Sequence, residues 1–122
     1  MRKRRVLWLS RHEPQEKQIK ELEKVFGGIE IVQVSKTVSG AMEVLKLMQE
    51  NETDELVAVL PIGLIAELTE KGVHPLRAVM KRELNEQGEA IFTHEYFERV
   101  MRVDIISHPL EEEAKIWRDK RI

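Results

Sequence analysis

The chain has 122 residues, enough for one domain with a single hydrophobic core. Hydrophobic residues make up 42% and charged residues 34%, a balance that excludes a disordered chain and predicts a globular one. The net charge of -2 argues against a surface that clamps nucleic acid all over, and the absence of cysteine excludes disulfides, zinc–thiolate sites and a cysteine nucleophile.

The first predicted element is a short strand, Val6 to Leu9, whose continuous apolar run is typical of a strand covered on both faces. Pro14 suits the first turn of the helix that follows, and apolar residues recur at helical spacing as far as Phe26. Gly27-Gly28 ends this helix.

Two more strand–helix units follow with short connections. The second strand is predicted at Ile29 to Val34, followed by a helix with Ala41, Val44, Leu45 and Met48 on its apolar face. The third unit is predicted as a strand at Leu56 to Leu60, a turn at Pro61 to Gly63, and a helix with Leu64, Ile65 and Leu68, ended by Gly72.

The second half of the chain has a different pattern. Leu76 to Leu84 is predicted as a fourth strand, and the turn Asn85 to Gly88 leads to a returning strand at Glu89 to Thr93. Another strand is predicted at Arg99 to Ser107, with a helix over Tyr96 to Met101 as the alternative, and a terminal helix at Leu110 to Lys120. The whole pattern predicts one α/β domain over residues 1–122. We expect a Rossmann-like three-layer sandwich with a mainly parallel sheet and a C-terminal hairpin or strand extension.

In a parallel sheet the loops that follow the strands leave from one edge, and ligands bind there where the strand order reverses. Three polar loops should therefore converge, and their hydroxyls, cations and backbone amides suit a phosphate or another anion. The predicted ligand-binding residues are Ser10, Arg11, His12, Ser35, Lys36, Thr37, Pro61 and Gly63. The alternative is that these loops are ordinary solvent-exposed connections between a strand and a helix, whose Ser and Thr side chains cap the helices.

No nucleotide or dinucleotide fingerprint is present, so we expect no cofactor. The four histidines lack the spacing of zinc ligands, so no metal site is expected either. The basic start resembles the first part of an export signal, but the apolar run behind it is too short, and no run is long enough to span a membrane. We therefore expect a cytoplasmic protein without membrane contacts, and the many charged residues are compatible with a thermophilic source.

Arg2 to Arg5 with Lys81-Arg82 suggests an alternative, a nucleic-acid-associated protein. The slightly acidic chain favours a solvated charged flank instead, so duplex binding is not expected.

The stretch "VLWLSRHEPQEKQIKELEKVFG", followed by "IEIVQVSKTV" and later by "LVAVLPIGLIAELTEKGVHPLRAVMKRE", resembles the small CRISPR-associated Rossmann-fold (CARF-like) proteins. The resemblance covers about residues 5–83 and lies in the order of strands, polar turns and helices. It implies a homodimer that binds cyclic oligoadenylate across its two-fold axis, as in ring nucleases, which also cut that ligand. It places Ser10, Arg11, His12, Ser35, Lys36, Thr37 and the Pro61–Gly63 turn at the ligand.

If the ligand is cut, the resemblance implies that its own 2′-hydroxyl attacks the neighbouring phosphate while a cation stabilises the developing charge. Arg11, His12 and Lys36 are the candidate catalytic residues, and whether the protein is an enzyme stays open. The competing hypothesis is a non-enzymatic homo-oligomeric interaction module. Its interface would be built by the hairpin and by the terminal helix with Trp117.

Overall fold

A computed structural model describes residues 3–114. The elements in chain order are β1 (Arg4–Leu9), α1 (Glu16–Phe26), β2 (Ile29–Val34), α2 (Ala41–Glu50), β3 (Glu55–Ala58), α3 (Ile62–Glu70), β4 (Leu76–Leu84) and β5 (Ala90–Arg99). The strands form one sheet in the order β2-β1-β3-β4-β5, with β1 to β4 parallel and β5 antiparallel to β4. This arrangement confirms the predicted α/β, Rossmann-like, mainly parallel fold.

The helices cover both faces of the sheet because β1 and β3 are apolar on both sides. Successive side chains of a strand point to opposite faces, so Val6 and Trp8 pack with Leu22 of α1. Leu7 and Leu9 lie on the other face, in the core formed with α2 and α3. The sheet is thus the middle of three layers, and β1 contributes to both cores.

Two element boundaries differ from the predicted ones at the edge of the sheet that matters for function. β3 ends at Ala58 rather than at residue 60, because its partner β1 ends at Leu9, directly opposite Ala58. Val59 therefore leaves the sheet and is 87% exposed. The predicted turn at residues 61–63 is the start of α3, with Pro61 as its N-cap.

The strand predicted at Arg99 to Ser107 is wrong, and so is the alternative helix at Tyr96 to Met101. The returning strand continues instead through Tyr96 as far as Arg99, opposite Leu76 at the start of β4. The Val100 amide donates to the Pro75 carbonyl at 2.9 Å, and β4 offers no residue before Leu76 for further pairing. Residues 101–109 consequently have no regular structure.

The predicted terminal helix at Leu110 to Lys120 lies mostly outside the described residues, as does Trp117, and only residues 112–114 of it are described as helical. None of the helices within residues 3–114 has the length and apolar character that spanning a membrane requires.

A charged cluster lies at the edge of the sheet where β1 and β3 begin and the antiparallel β5 ends. Glu55 at the start of β3 is only 5% exposed and lies between two arginines, with 2.7 Å from Oε1 to Arg4 Nη2 and 2.9 Å from Oε2 to Arg99 Nη1. Both guanidinium groups also lie over the ring of Phe26, at 5.1 and 6.0 Å. The carboxylate raises the pKa of Arg4 through this hydrogen bond. The cluster joins β1, β3, β5 and α1 at the edge opposite the polar loops.

Candidate functional site

The strand order reverses between β1 and β3, because the chain passes from β1 to β2 on one side and returns to β3 on the other. The loops that leave β1 and β3 therefore diverge and open a cleft, as in other open α/β sheets. This loop cleft has a volume of about 790 Å³ and is lined by Leu9, Ser10, Arg11, His12, Ser35, Lys36, Thr37, Val38, Val59, Leu60 and Pro61. Every predicted ligand residue except Gly63 lines it. Gly63 lies in the first turn of α3.

The loop after β1 is held by hydrogen bonds that do not involve its charged side chains. Trp8 Nε1 donates to the carbonyl of His12 at 2.8 Å, and the His12 amide donates to Ser10 Oγ at 3.1 Å. Gln33 Nε2 donates to the carbonyl of Ser10 at 3.1 Å, which joins this loop to β2. The backbone of the loop is thus fixed by its neighbours.

The two cations of the loop cleft are in different situations. Arg11 is exposed, and within residues 3–114 its guanidinium has no ion pair or hydrogen bond. Lys36 Nζ lies 3.2 Å from Glu43 Oε1 in the first turn of α2. Arg11 is therefore available to an anionic ligand, whereas Lys36 is already paired with a carboxylate.

Glu43 also organises the polar loop before α2. Its Oε2 accepts hydrogen bonds from the Ser39 amide at 3.0 Å and from the Ser39 hydroxyl at 3.1 Å. The Ser39 amide, followed by Lys36 and the Ser39 hydroxyl, holds the pKa of Glu43 below its usual value of 4.5. The carboxylate is therefore ionised at neutral pH and keeps Lys36 at the rim of the cleft.

A second depression lies on the α1 side of the sheet. This α1-side pocket has a volume of about 640 Å³ and is lined by Trp8, Ser10, His12, Glu13, Gln15, Gln18, Val57, Ala58, Val59, Ala78, Met80 and Phe92. It shares Ser10, His12 and Val59 with the loop cleft, so the two spaces adjoin across the end of β1 and the loop after β3.

The pocket exists because the β4–β5 hairpin is longer than the parallel strands. Val57 of β3 is opposite Leu76, the first residue of β4, and β3 ends one residue later. β4 continues to Leu84, so the hairpin extends beyond the carboxyl edge of the sheet and forms a wall. The side chain of Gln15 joins this wall to α1. Its Nε2 donates to the Phe92 carbonyl and its Oε1 accepts from the His94 backbone amide, both at 3.2 Å.

The sequence did not identify this pocket as a site. Trp8 and Met80 have apolar side chains at core-like positions of the sequence pattern, which is typical of packing residues. Gln15 and Gln18 form a capping box at the start of α1. Their three-residue spacing is a recognisable signal for that local structure. The spacing does not predict that the β4–β5 hairpin contacts these residues.

Two further histidines, His94 and His108, line neither space. His94 is buried and its Nε2 lies 2.8 Å from Glu21 Oε1, whereas His108 Nε2 lies 3.3 Å from Glu113 Oε1. Among residues 3–114 no three His, Cys, Asp or Glu side chains are grouped so that they could hold a metal ion.

Two cations of the basic start, Arg4 and Arg5, have partners in the fold. Arg4 pairs with Glu55, and Arg5 pairs with Glu30 and donates to the Asn51 carbonyl. These contacts reduce the charge that the start of the chain offers to a nucleic-acid backbone.

The residues of the loop cleft thus combine two cations, three hydroxyl side chains and the beginning of a helix at the reversal of strand order. Comparison with protein-family models finds no match, and comparisons with curated proteins and with solved structures find none either.

Proposed function

We propose that the protein binds a phosphate-bearing ligand of the nucleotide class in the loop cleft. The main support is that Arg11 and Lys36 line one concave space together with the hydroxyl-bearing residues Ser35 and Thr37. Charged donors make the strongest hydrogen bonds to phosphate oxygens, and hydroxyls donate further ones. Their position at the reversal of strand order is where open α/β sheets bind ligands.

The start of α3 adds to the positive potential of the cleft. Pro61 caps the helix and lines the cleft, and the first turn of α3 contains no acidic residue. The first turns of α1 and α2 contain Glu16 and Glu43. Free amides and the dipole at a helix start favour an anion, so α3 is the helix best suited to face one.

The resemblance to CARF-like proteins extends the proposal to cyclic oligoadenylate as the ligand, bound by a cytoplasmic homodimer, and to its cleavage. In that reaction the ligand's 2′-hydroxyl attacks the adjacent phosphorus, which forms a 2′,3′-cyclic phosphate and releases a 5′-hydroxyl. Arg11 or Lys36 would stabilise the charge on the phosphoryl oxygens. His12 is the candidate for moving the proton, because an imidazole can act as general acid or general base.

The test is calorimetric titration of the protein with pyrophosphate and with cyclic tetra-adenylate. We expect both to bind, and Arg11→Gln and Lys36→Gln to weaken binding at least about tenfold, since each removes a charge-assisted contact. Arg77→Gln and Lys46→Gln are the matched controls, because these exposed cations pair with Glu98 and Glu50 elsewhere. Absence of binding by the wild type, or equal losses in the controls, would contradict the proposal. Chromatography of the cyclic tetra-adenylate after incubation tests cleavage separately.

A second candidate function is a non-enzymatic homo-oligomeric interaction module. It is supported by the hairpin face that points away from α1, where Ile91 and Tyr96 remain 42% and 48% exposed. Among the described residues no strand pairs with the outer edge of β5. Long exposed edges with apolar side chains favour association with another chain.

This candidate makes a different prediction from ligand binding. Tyr96→Glu and deletion of residues 109–122 should each convert an oligomer to a monomer in analytical ultracentrifugation, with no effect of nucleotides on the melting temperature of the wild type. A wild-type monomer would remove the candidate. An oligomer whose melting temperature rises with cyclic tetra-adenylate would favour the first proposal.

A further inference from the structure

We infer that the α1-side pocket binds a planar heteroaromatic ring with a hydrogen-bond acceptor, belonging to the same ligand whose phosphate occupies the loop cleft. The inference rests on the proposed function for the phosphate, but it concerns different residues. Its basis is the juxtaposition of a buried amide donor with aromatic and thioether side chains in one pocket next to the cleft.

Gln18 supplies the polar part of the argument. The residue is 5% exposed, and its Oε1 accepts a hydrogen bond from the backbone amide of Gln15 at 2.8 Å. This bond fixes which end of the side-chain amide is the oxygen and leaves the NH₂ group beside Met80. Its contact there is the thioether sulfur at 4.0 Å, which is a weak acceptor.

A buried amide donor with only a weak acceptor costs free energy. A ligand atom with a lone pair, such as a ring nitrogen or an exocyclic carbonyl, would satisfy it. Gln18 lines the pocket, so such an atom of a bound group could reach the donor from the pocket. The donor therefore selects for an acceptor on the bound group.

The rest of the pocket selects for a flat apolar body. Trp8, Met80 and Phe92 line it, and Phe92 is 58% exposed although it carries a large aromatic ring. Aromatic side chains stack on planar rings, and thioether sulfur makes favourable contacts with ring edges. Small-molecule sites of roughly 300–1,000 Å³ usually combine such apolar walls with a few placed polar groups.

The connection between the two spaces makes a single ligand feasible. The loop cleft and the α1-side pocket share Ser10 and His12, and the exposed Val59 borders both. A ring in the pocket and a phosphate in the cleft would thus contact opposite sides of the same short turn. A nucleoside phosphate has this combination of groups.

The test compares ligands with and without the ring by calorimetry: ribose 5-phosphate, the 5′-monophosphates of adenosine, guanosine, cytidine and uridine, and the four nucleosides. We expect at least one monophosphate to bind about tenfold or more tightly than ribose 5-phosphate, since stacking and one hydrogen bond add to the phosphate contacts. Phe92→Ala should reduce the ratio of the two affinities, monophosphate over ribose 5-phosphate, at least about fivefold. Leu84→Ala is the matched control, because Leu84 is a similarly exposed apolar residue of the same hairpin that does not line the pocket.

Gln18→Glu tests the donor. Glutamate keeps an oxygen for the Gln15 backbone amide and is a favoured residue at this capping position, so we expect the fold to be retained. The variant replaces the NH₂ donor by an acceptor, and we expect the ring preference to disappear while ribose 5-phosphate binding changes less than about threefold.

The outcomes separate this inference from the phosphate proposal. If all monophosphates bind like ribose 5-phosphate, or if Phe92→Ala and Gln18→Glu leave the preference intact, the ring pocket is wrong and the phosphate site stands. If a nucleoside binds in a Phe92-dependent manner while ribose 5-phosphate and pyrophosphate do not, the pocket stands and the phosphate proposal fails. If none of these ligands binds, both are wrong.

Discussion

Lys36 and Glu43 form an ion pair of 3.2 Å across the entrance to α2, so a carboxylate competes with any anionic ligand for one of the two cations of the loop cleft. Glu43→Gln keeps an oxygen that can accept the hydrogen bonds from Ser39 and removes the competing charge. We expect this variant to bind pyrophosphate severalfold more tightly than the wild type at low ionic strength, as measured by calorimetry.

The matched control for this prediction is Glu50→Gln. It removes the same charge from the other end of α2, where Glu50 pairs with Lys46. An equal tightening in both variants would show a general effect of net charge and would contradict a specific competition at Lys36.

The lowered pKa of Glu43 predicts how the stability of the loop before α2 depends on pH. A carboxyl whose pKa is lower in the folded chain stabilises the fold above its ordinary value of 4.5, and this contribution is lost as pH falls through the folded pKa. We therefore expect the free energy of unfolding of the wild type to exceed that of Glu43→Gln at neutral pH. The difference should vanish in acid, in urea titrations over a pH series. A difference that stays constant well below 4.5 would contradict the cause assigned to the shift.

The charged cluster at the amino edge of the sheet predicts a loss of stability without a loss of binding. Glu55→Gln leaves Arg4 and Arg99 without their shared carboxylate, and we expect unfolding to require about 1–3 kcal/mol less free energy. Glu98→Gln, which breaks only an exposed pair with Arg77, should cost less than about 1 kcal/mol. Pyrophosphate affinity should be the same in both, because these residues lie at the edge opposite the loop cleft.

The hydrogen bond from Trp8 to the His12 carbonyl predicts a link between the core and the cleft. Trp8→Phe keeps an aromatic ring in the α1-side core but releases the loop after β1. We expect faster amide exchange in residues 10–13 and a severalfold weaker affinity for pyrophosphate. Val6→Ala, on the same face of β1 but away from the loop, should destabilise the core without changing the affinity. Equal effects of the two substitutions on affinity would contradict the link.

The parallel part of the fold could be predicted from the sequence because its signals are local. Strand β2 at Ile29–Val34 and β4 at Leu76–Leu84 have the predicted bounds, since β-branched and apolar runs are bounded by turns or glycines. The course of β5 could not be predicted this way. Its end at Arg99 depends on where β4 begins, which is a property of the pairing partner and not of the residues around Arg99.

The candidate site was predictable to the same extent. The loop cleft follows from topology, because loops after parallel strands share an edge, and the residues from Ser10 to His12 and from Ser35 to Thr37 meet there. The α1-side pocket depends on how far the hairpin extends past β3, and on the contact of Gln15 with Phe92. These residues are 77 positions apart in the sequence, so no local pattern indicates their contact.

The most direct test of the central claim is a pyrophosphate titration of the isotopically labelled protein followed by amide NMR. A phosphate site in the loop cleft predicts saturable shifts concentrated in residues 10–12, 35–39 and 59–63, with few at the amino edge around Arg4 and Glu55. The same shifts should be absent in Arg11→Gln at equal pyrophosphate. Shifts clustered at the amino edge, or no saturable shifts at any concentration that keeps the protein folded, would contradict the claim.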